Sequence, residues 1–415
     1  MKLHRKTFIA GGAHTPYIGK FHPDFIWKGH PDFGKRENPS IEDYISRVTK
    51  AVFDVTGIEP GRIDKGYVAN FTGECFVNQG HLGAALAGAD PALKGKPMMR
   101  VEGACASGGL ALTAGIDAIQ AGYDVVLVVG VEVQNTVNAK IGADYLARAA
   151  HYKTQRSLDP FTFPCLFARR AKEMYTKEGV TEEDVAKLAV KAYDNANRNE
   201  YAHMHTVKMT LENAMRSPLF LENEEYHDYL RVSGCSQVSD GASALVLLSE
   251  KGAKDVGRRL EDMIQVRGYA HATGSLYELE DLLDLTTTRK AATQLYAETA
   301  LTPSDVDVLE VHDCFAVTEI LMYEALGFAE RGKGVELVRN EETTHKGRLP
   351  TNAGGGLLAF GHPVGATGVK QAIEMWRMMT GRADNYELAH TPKLGLTANM
   401  GGDDRTAVVA AYQPA

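Results

Sequence analysis

Cys105 lies in the stretch Val101-Glu-Gly-Ala-Cys-Ala-Ser-Gly-Gly-Leu110, between small residues and ahead of Leu112, Ile116 and Ile119 at helical spacing. A helix that starts near Ser107 leaves this thiol just before its N-terminus. The positive end of the dipole and the free backbone N–H groups there lower a thiol pKa from about 8.5 toward neutrality. That is the chemistry of a covalent nucleophile, and the small neighbours let a carbonyl come close. The same residue types also suit a core cysteine in a tight turn. A partner decides between the two. His362 stands in Asn352-Ala-Gly-Gly-Gly-Leu-Leu-Ala-Phe-Gly-His-Pro-Val-Gly-Ala-Thr-Gly368, where dense glycines allow a ligand or a second backbone segment to approach. Cysteine plus histidine is the smallest set that activates a thiol. Taken alone, His362 also fits a loop histidine bonded to backbone.

Val311-His-Asp-Cys-Phe315 offers a second pair, His312 and Cys314, at the end of a predicted strand. Open α/β sheets carry their chemistry at strand ends, although a polar turn uses the same residues. Gly401-Gly402, after Asn399-Met400, can present N–H groups to an oxyanion or simply turn a hairpin. Cys75, Cys165 and Cys235 read as core or interface residues. His203-Met-His205 has no carboxylate at ligand spacing, so no metal site is expected.

The composition narrows the classes. The chain has 415 residues, room for more than one domain, with 44% apolar and 24% charged residues. A net charge of −8 gives no footprint for nucleic acid or anionic membrane. The longest apolar run, Val125 to Val133, is broken by Gly130 and Glu132 and is too short to span a bilayer. Five scattered cysteines form no disulfide or zinc pattern. With no secretory leader and no Ser-Lys-Leu ending, a reducing cytoplasmic location is expected.

The elements that must position the candidate groups follow from the patterning. Thr7 to Ala10 reads as a first buried strand closed by Gly11-Gly12. Ser40 caps a helix with apolar positions from Ile41 to Val55. Ile63–Val68 and Tyr123–Gly130 read as strands, the latter central. From about 134 to 235 the chain turns polar and helical, with helices over Phe167–Thr176 and Thr181–Ala196, the second opened by a Thr181/Asp184 capping box. The strand pattern returns at Ser239–Leu248 and Ile264–Ala270, and a helix follows over Thr288–Ala300. The intervening segment therefore reads as an inserted lobe.

Thr299-Ala-Leu-Thr-Pro-Ser-Asp-Val-Asp-Val-Leu-Glu-Val311 repeats Thr56-Gly-Ile-Glu-Pro-Gly-Arg-Ile-Asp-Lys-Gly-Tyr-Val68 without gaps. Thr367 to Gly381 likewise matches Gly108 to Gly122. Two correspondences in the same order imply a duplicated α/β unit. A pseudo-twofold would bring the Cys105 helix and the helix after His362 together at a seam.

These pieces together resemble the thiolase superfamily from about residue 6 to residue 412. The resemblance rests on Cys105-Ala-Ser107, His312-Asp-Cys-Phe315, Gly361-His-Pro363 with Gly365-Ala-Thr-Gly368, Ser239-Asp-Gly-Ala-Ser-Ala244, the Gly401-Gly402 loop, and Thr15-Pro16 through Gly19-Lys-Phe21. His14 stands where an arginine is usual. Most thiolases carry Asn-Glu-Ala-Phe at the second motif and a catalytic cysteine in the last loop. Here those places hold His312-Asp-Cys-Phe315 and Asn399-Met400, a variant that resembles the sterol-carrier-protein-2 type and implies a second thiol moved to Cys314.

The resemblance implies an α/β fold of two duplicated α/β/α/β/α halves, each with a mixed sheet. They would span 1–250, with the loop domain at about 134–235 inserted, and 251–415. It implies acyl transfer between coenzyme A thioesters: cleavage of a 3-oxoacyl-CoA, or the reverse Claisen condensation, through acyl-Cys105. His312, Cys314 and His362 would assist, and the N–H groups of Cys105 and Gly401 would form an oxyanion hole. Coenzyme A is a co-substrate, with no tightly bound cofactor; the lobe would hold it. A homodimer or dimer of dimers is expected. The alternatives are a subunit or scaffold that works with a small zinc-ribbon or OB-fold partner, and a ketosynthase-like condensing enzyme, whose expected His-x-Thr-x-Thr is absent.

Overall fold

The structure, a computed structural model, describes residues 3–278, 281–383, 386 and 388–415. Nine strands form one mixed sheet: β1 (Thr7–His14), β2 (Lys65–Ala69), β3 (Met98–Val101), β4 (Val125–Glu132), β5 (Gly241–Ser249), β6 (Ile264–Thr273), β7 (Val308–Val311), β8 (Gly395–Gly401) and β9 (Thr406–Pro414). Their order is β3-β2-β4-β5-β1-β6-β9-β8-β7. With the edge strand β3 set aside, the order reads the same from either end, β2, β4, β5 and β1 matching β7, β8, β9 and β6. The duplication expected from sequence is thus visible as topology. The two sheets expected are joined, however. Thr7 to Ile9 of β1 pairs antiparallel with Ile264 to Val266 of β6, so hydrogen bonds run continuously across the seam.

The helices of ten or more residues among those described are α1 (Ile41–Thr56), α2 (Ser107–Gln120), α3 (Thr162–Lys177), α4 (Glu182–Ala196), α5 (Thr286–Thr299), α6 (Ala316–Ala325) and α7 (Thr367–Met379). Capping boxes open α1 at Ser40/Asp43 and α4 at Thr181/Asp184. The duplicated segments fold alike. After α1, Gly57 turns with φ +66 and a 3-10 turn Pro60–Arg62 leads to β2; after α5, Ala300 turns with φ +57 and Pro303–Asp305 leads to β7.

Helix α1 covers β1, β4 and β5, and α5 covers β6 and β9, while α2 and α7 touch each other and strands of both halves. The layers are therefore helix, sheet, paired central helices, sheet, helix. The apolar core around the central pair draws Ile9 and Val126 from one half and Ala410 and Tyr412 from the other. The two helices cross where each has glycine: a Cβ on Gly108 would stand 2.6 Å from the Gly368 nitrogen.

Gly11-Gly12 does not close the first strand. β1 continues to His14, with a bulge between Ile9 and Gly11. The glycines are there for packing, since a side chain at Gly12 would run into Ile373 of α7. Residues 134–235 contribute no strand to the sheet; α3 and α4 pack on α6, and α4 also on the short helix Gly334–Arg339. No helix among the described residues is long and apolar enough to cross a membrane.

Candidate active site

Cys105 is set in a turn rather than on a helix. It lies in the 3-10 turn Ala104–Ala106, which runs directly into α2. Ala104 has φ +53, a left-handed conformation that costs a residue with a Cβ about 1–2 kcal/mol. The turn is braced locally. Ala104 N–H donates to Glu102 Oε1 at 2.6 Å, and the Ser107 hydroxyl donates to Ala104 O at 2.6 Å while accepting from Gly103 N–H at 3.0 Å.

The seam brings the candidate groups together. One donor atom each from Cys105, His312 and His362 lie within 4.8 Å of one another. The two imidazoles meet edge to face with centroids 5.2 Å apart. Cys105, Cys314, His362 and Gly402 share the wall of one cavity of about 490 Å³. His312 is fully buried beside it.

Each histidine has one ring nitrogen committed and one free. Thr367 donates its hydroxyl proton to Pro363 O at 3.2 Å, so its oxygen accepts from His362 Nδ1–H at 2.7 Å. That leaves His362 Nε2 with a lone pair. Asn399 fixes the opposite tautomer at His312. Its carbonyl oxygen accepts from Gly109 N–H at 2.9 Å, and its amide nitrogen donates to Cys105 O at 3.1 Å and to His312 Nδ1 at 3.2 Å. The His312 proton is therefore on Nε2. Both Nε2 atoms are buried with no hydrogen-bond partner in the structure, a costly arrangement unless a ligand completes it. One nitrogen is a base and the other a donor.

The electrostatics correct one expectation. Burial pushes the Cys105 thiol up to about 12, against hydrogen bonds from Gly402 N–H and its own N–H. Loss of water around the sulfur therefore opposes the lowering expected at a helix terminus. Burial also pushes His362 down to about 3, and burial together with His362 holds His312 well below its usual value. Both rings are neutral near pH 7. Burial, and then the neighbouring Cys105, raise the Cys314 thiol far above its ordinary value.

Gly402, not the expected Gly401, is the glycine whose N–H reaches the Cys105 sulfur and which lines the cavity. Gly401 fills the space behind it, where a Cβ would stand 3.0 Å from Ala106 N. Of the histidines set aside from sequence, His203 uses both ring nitrogens, on Ser239 Oγ and Lys20 O, at 2.8 Å each.

Two residues were missed by sequence reasoning. Asn399 was seen only as the absence of a cysteine; its contacts join residues nearly 300 positions apart and no local pattern announces them. Glu132 did leave a signal, a carboxylate in an apolar strand. It is buried and accepts from Asn70 Nδ2 (2.8 Å), Phe71 N–H (2.8 Å), Thr72 N–H (3.2 Å) and Gly365 N–H (3.0 Å). It thereby ties the end of β4 to the loop that carries His362.

Known proteins are similar to this chain in sequence and fold. The sequence profile described as Thiolase, N-terminal domain matches residues 30–251, and Thiolase C-terminal domain-like matches 268–413. An acetyl-CoA acetyltransferase of Methanothermobacter thermautotrophicus is 35% identical over 380 residues, 91% of this chain and 95% of that protein. Sterol carrier protein 2 of Oryctolagus cuniculus is 32% identical over 325 residues, 74% of this chain and 57% of that protein. Among solved structures, an Ltp2-ChsH2(DUF35) aldolase superposes with a TM-score of 0.77 at 22% identity, covering 98% of this chain and 97% of that one. Duplicated halves, a cysteine turn facing two histidines across the seam, and matches along nearly the whole sequence agree: the chain belongs to the thiolase family of acyltransferases that act on coenzyme A thioesters.

Proposed function

We propose that this chain cleaves a 3-oxoacyl-CoA with coenzyme A to acetyl-CoA and a shortened acyl-CoA, or runs the reverse Claisen condensation, through an acyl-Cys105 intermediate. The observation that carries the reading is the approach of Cys105, His362 and His312 within 4.8 Å, with the two free ring nitrogens in opposite protonation states. His362 Nε2 takes the Cys105 proton as the sulfur adds to C3 of the substrate. This transfer is needed because loss of water around the half-buried sulfur opposes its ionisation. The N–H groups of Cys105 and Gly402 receive the oxyanion. The C2–C3 bond then breaks and the acetyl-CoA enolate leaves. Its oxygen meets Nε2–H of His312 and of the now protonated His362. Cys314 gives its proton to C2. The Cys314 thiolate next takes the proton of free coenzyme A, whose sulfur attacks the acyl group. Cys105 leaves and recovers its proton from His362.

In this reading the halves divide at 1–250 and 251–415. The lobe at 134–235, which supplies more than half of the cavity wall, receives coenzyme A. Trapping the acyl-enzyme tests the core of the proposal. Mass spectrometry after incubation with acyl-CoAs is expected to find the acyl group on Cys105, and Cys105→Ala is expected to abolish both acylation and cleavage in a folded protein. Acyl transfer by that variant would sink the assignment.

One observation favours a second reading, in which a small zinc-ribbon or OB-fold protein completes the enzyme. Lys20 is the one charged side chain in the cavity wall, which gives the diphosphate of coenzyme A few cations within that wall. The Ltp2-ChsH2(DUF35) aldolase, which has a similar fold, is named for two components. Cleavage by the purified chain alone, as a homodimer or dimer of dimers, would exclude that requirement.

A further inference from the structure

The cavity that ends at Cys105 is aromatic. Next to the nucleophile, a Cβ on Gly402 would stand 2.7 Å from Ala149 O, so the lobe closes directly on the reacting sulfur. The same wall holds Leu146, Phe161, Phe163, Phe220 and Phe315, with Phe21, Phe71 and Phe76 also lining it. Phe161 and Phe220 meet edge to face with centroids 5.4 Å apart, and Phe315, which follows Cys314, is stacked on Phe167 at 4.5 Å. These rings are held in place by one another before any ligand arrives. The polar part of the wall, Gln134, Asn135, Asn138 and Gln237, lies where the lobe leaves and rejoins the sheet, and Gln134 and the Gln237 carbonyl bond the backbone of His362. It offers the amide and carbonyl partners that a pantetheine arm needs.

A two-carbon acyl group would leave the aromatic end to water. That forfeits dispersion contacts and admits the competing nucleophile to the thioester. An acyl group that ends in a carboxylate would bury a charge with no cation to meet it, since Lys20, the one charged side chain in the wall, stands exposed at the mouth. A flat, uncharged ring satisfies this site. It gains buried area and adds edge-to-face contacts that an alkyl chain does not make. We infer that the acyl group carried on Cys105 is aryl-bearing and uncharged, seated among Phe161, Phe163, Phe220 and Phe315. This rests on the thiolase reading for the identity of the acylated residue, but not for the shape of the pocket.

Two measurements separate the inference from that reading. The first is binding without chemistry. The Cys105→Ala variant is titrated calorimetrically with two inert thioethers, S-phenacyl-coenzyme A and S-acetonyl-coenzyme A. The phenacyl compound is expected to bind at least about tenfold more tightly, the gain expected of one well-packed ring. Equal or weaker binding overturns the pocket, whatever Cys105 does. The second is competition in the intact enzyme between benzoyl-CoA, acetyl-CoA and succinyl-CoA, read as acyl-Cys105 by mass spectrometry. Benzoyl transfer is expected to lead and succinyl to trail. Replacing both edge-to-face partners, Phe161→Ala with Phe220→Ala, is expected to cut the benzoyl-to-acetyl ratio about tenfold. An unchanged ratio in the folded double variant overturns the assignment of those rings. Preferential phenacyl binding with no acylation by any donor supports the pocket and removes the acyl-Cys105 mechanism alone.

Discussion

Asn399 donates to His312 Nδ1 at 3.2 Å while its carbonyl oxygen is held by Gly109 N–H at 2.9 Å. The second bond fixes which way the amide points, and so fixes the first. Asn399 is a positioning residue: it keeps the His312 proton on the nitrogen that faces Cys105 and His362.

Asn399→Asp is expected to reverse this. A carboxylate oxygen would accept from His312 Nδ1–H and leave Nε2 with a lone pair toward the enolate oxygen. Deuterium exchange at C2 of acetyl-CoA should fall about 10²–10³-fold, the usual cost of an oxyanion donor. Acylation of Cys105 should fall far less. Nitrogen NMR of the ring reads the tautomer directly. An unmoved tautomer, or equal losses in both reactions, would mean that Asn399 only supports the turn.

Cys314 shares the cavity wall with Cys105 and is almost wholly buried. Cys314→Ala is expected to retain acylation of Cys105 by a simple acyl-CoA. It should lose C2 exchange and C–C cleavage by about 10²–10⁴-fold, the range for a placed proton-transfer group. A packing defect would instead slow every step alike. Exchange and acylation measured on one sample distinguish the two.

The resting thiol gives a pH prediction. Because burial holds Cys105 up to about 12, its alkylation by iodoacetamide should keep rising with pH well past the range of an ordinary thiol. The unfolded chain in urea should level off above about pH 8.5. A plateau near neutrality in the folded protein would show that the helix terminus prevails over burial after all.

Glu374 and His14 form a buried pair at 3.0 Å. Burial alone would raise the carboxyl, but the hydrogen bond from His14 and the charges of Arg377 and Lys370 hold it below its ordinary value. A depressed folded pKa stabilises the protein above the unfolded value and is lost as pH falls through the folded one. Acid denaturation should therefore steepen as pH falls below the ordinary carboxyl range of about 4. Glu374→Gln should be less stable near neutrality and show a shallower acid limb. Denaturant melts across that window check both.

The sequence by itself determined the elements and the chemistry of the parts. Periodicity located α1, α2 and α4, because an amphipathic stripe and a cap are local signals. The duplicated Thr-Pro-Asp-Val segments placed two like units, and the motifs around Cys105, His312, Cys314 and His362 named the groups that meet. Tertiary structure decided what those groups are. Whether Cys105 is a thiolate or a thiol depends on the water excluded by both halves, which no window of sequence contains. The tautomers of His312 and His362 are set by Asn399 and Thr367, partners chosen by the crossing of α2 and α7. Gly402 rather than Gly401 faces the sulfur because Gly401 is still the last residue of β8 and packs against the backbone of the cysteine turn. Gly11-Gly12 looked like a stop until Ile373 of α7 came to lie against it. The continuous sheet, too, depends on β1 meeting β6 from the other half. Local propensity writes the pieces; solvent exclusion and long-range hydrogen bonds, which exist only after packing, give them their charge and their roles.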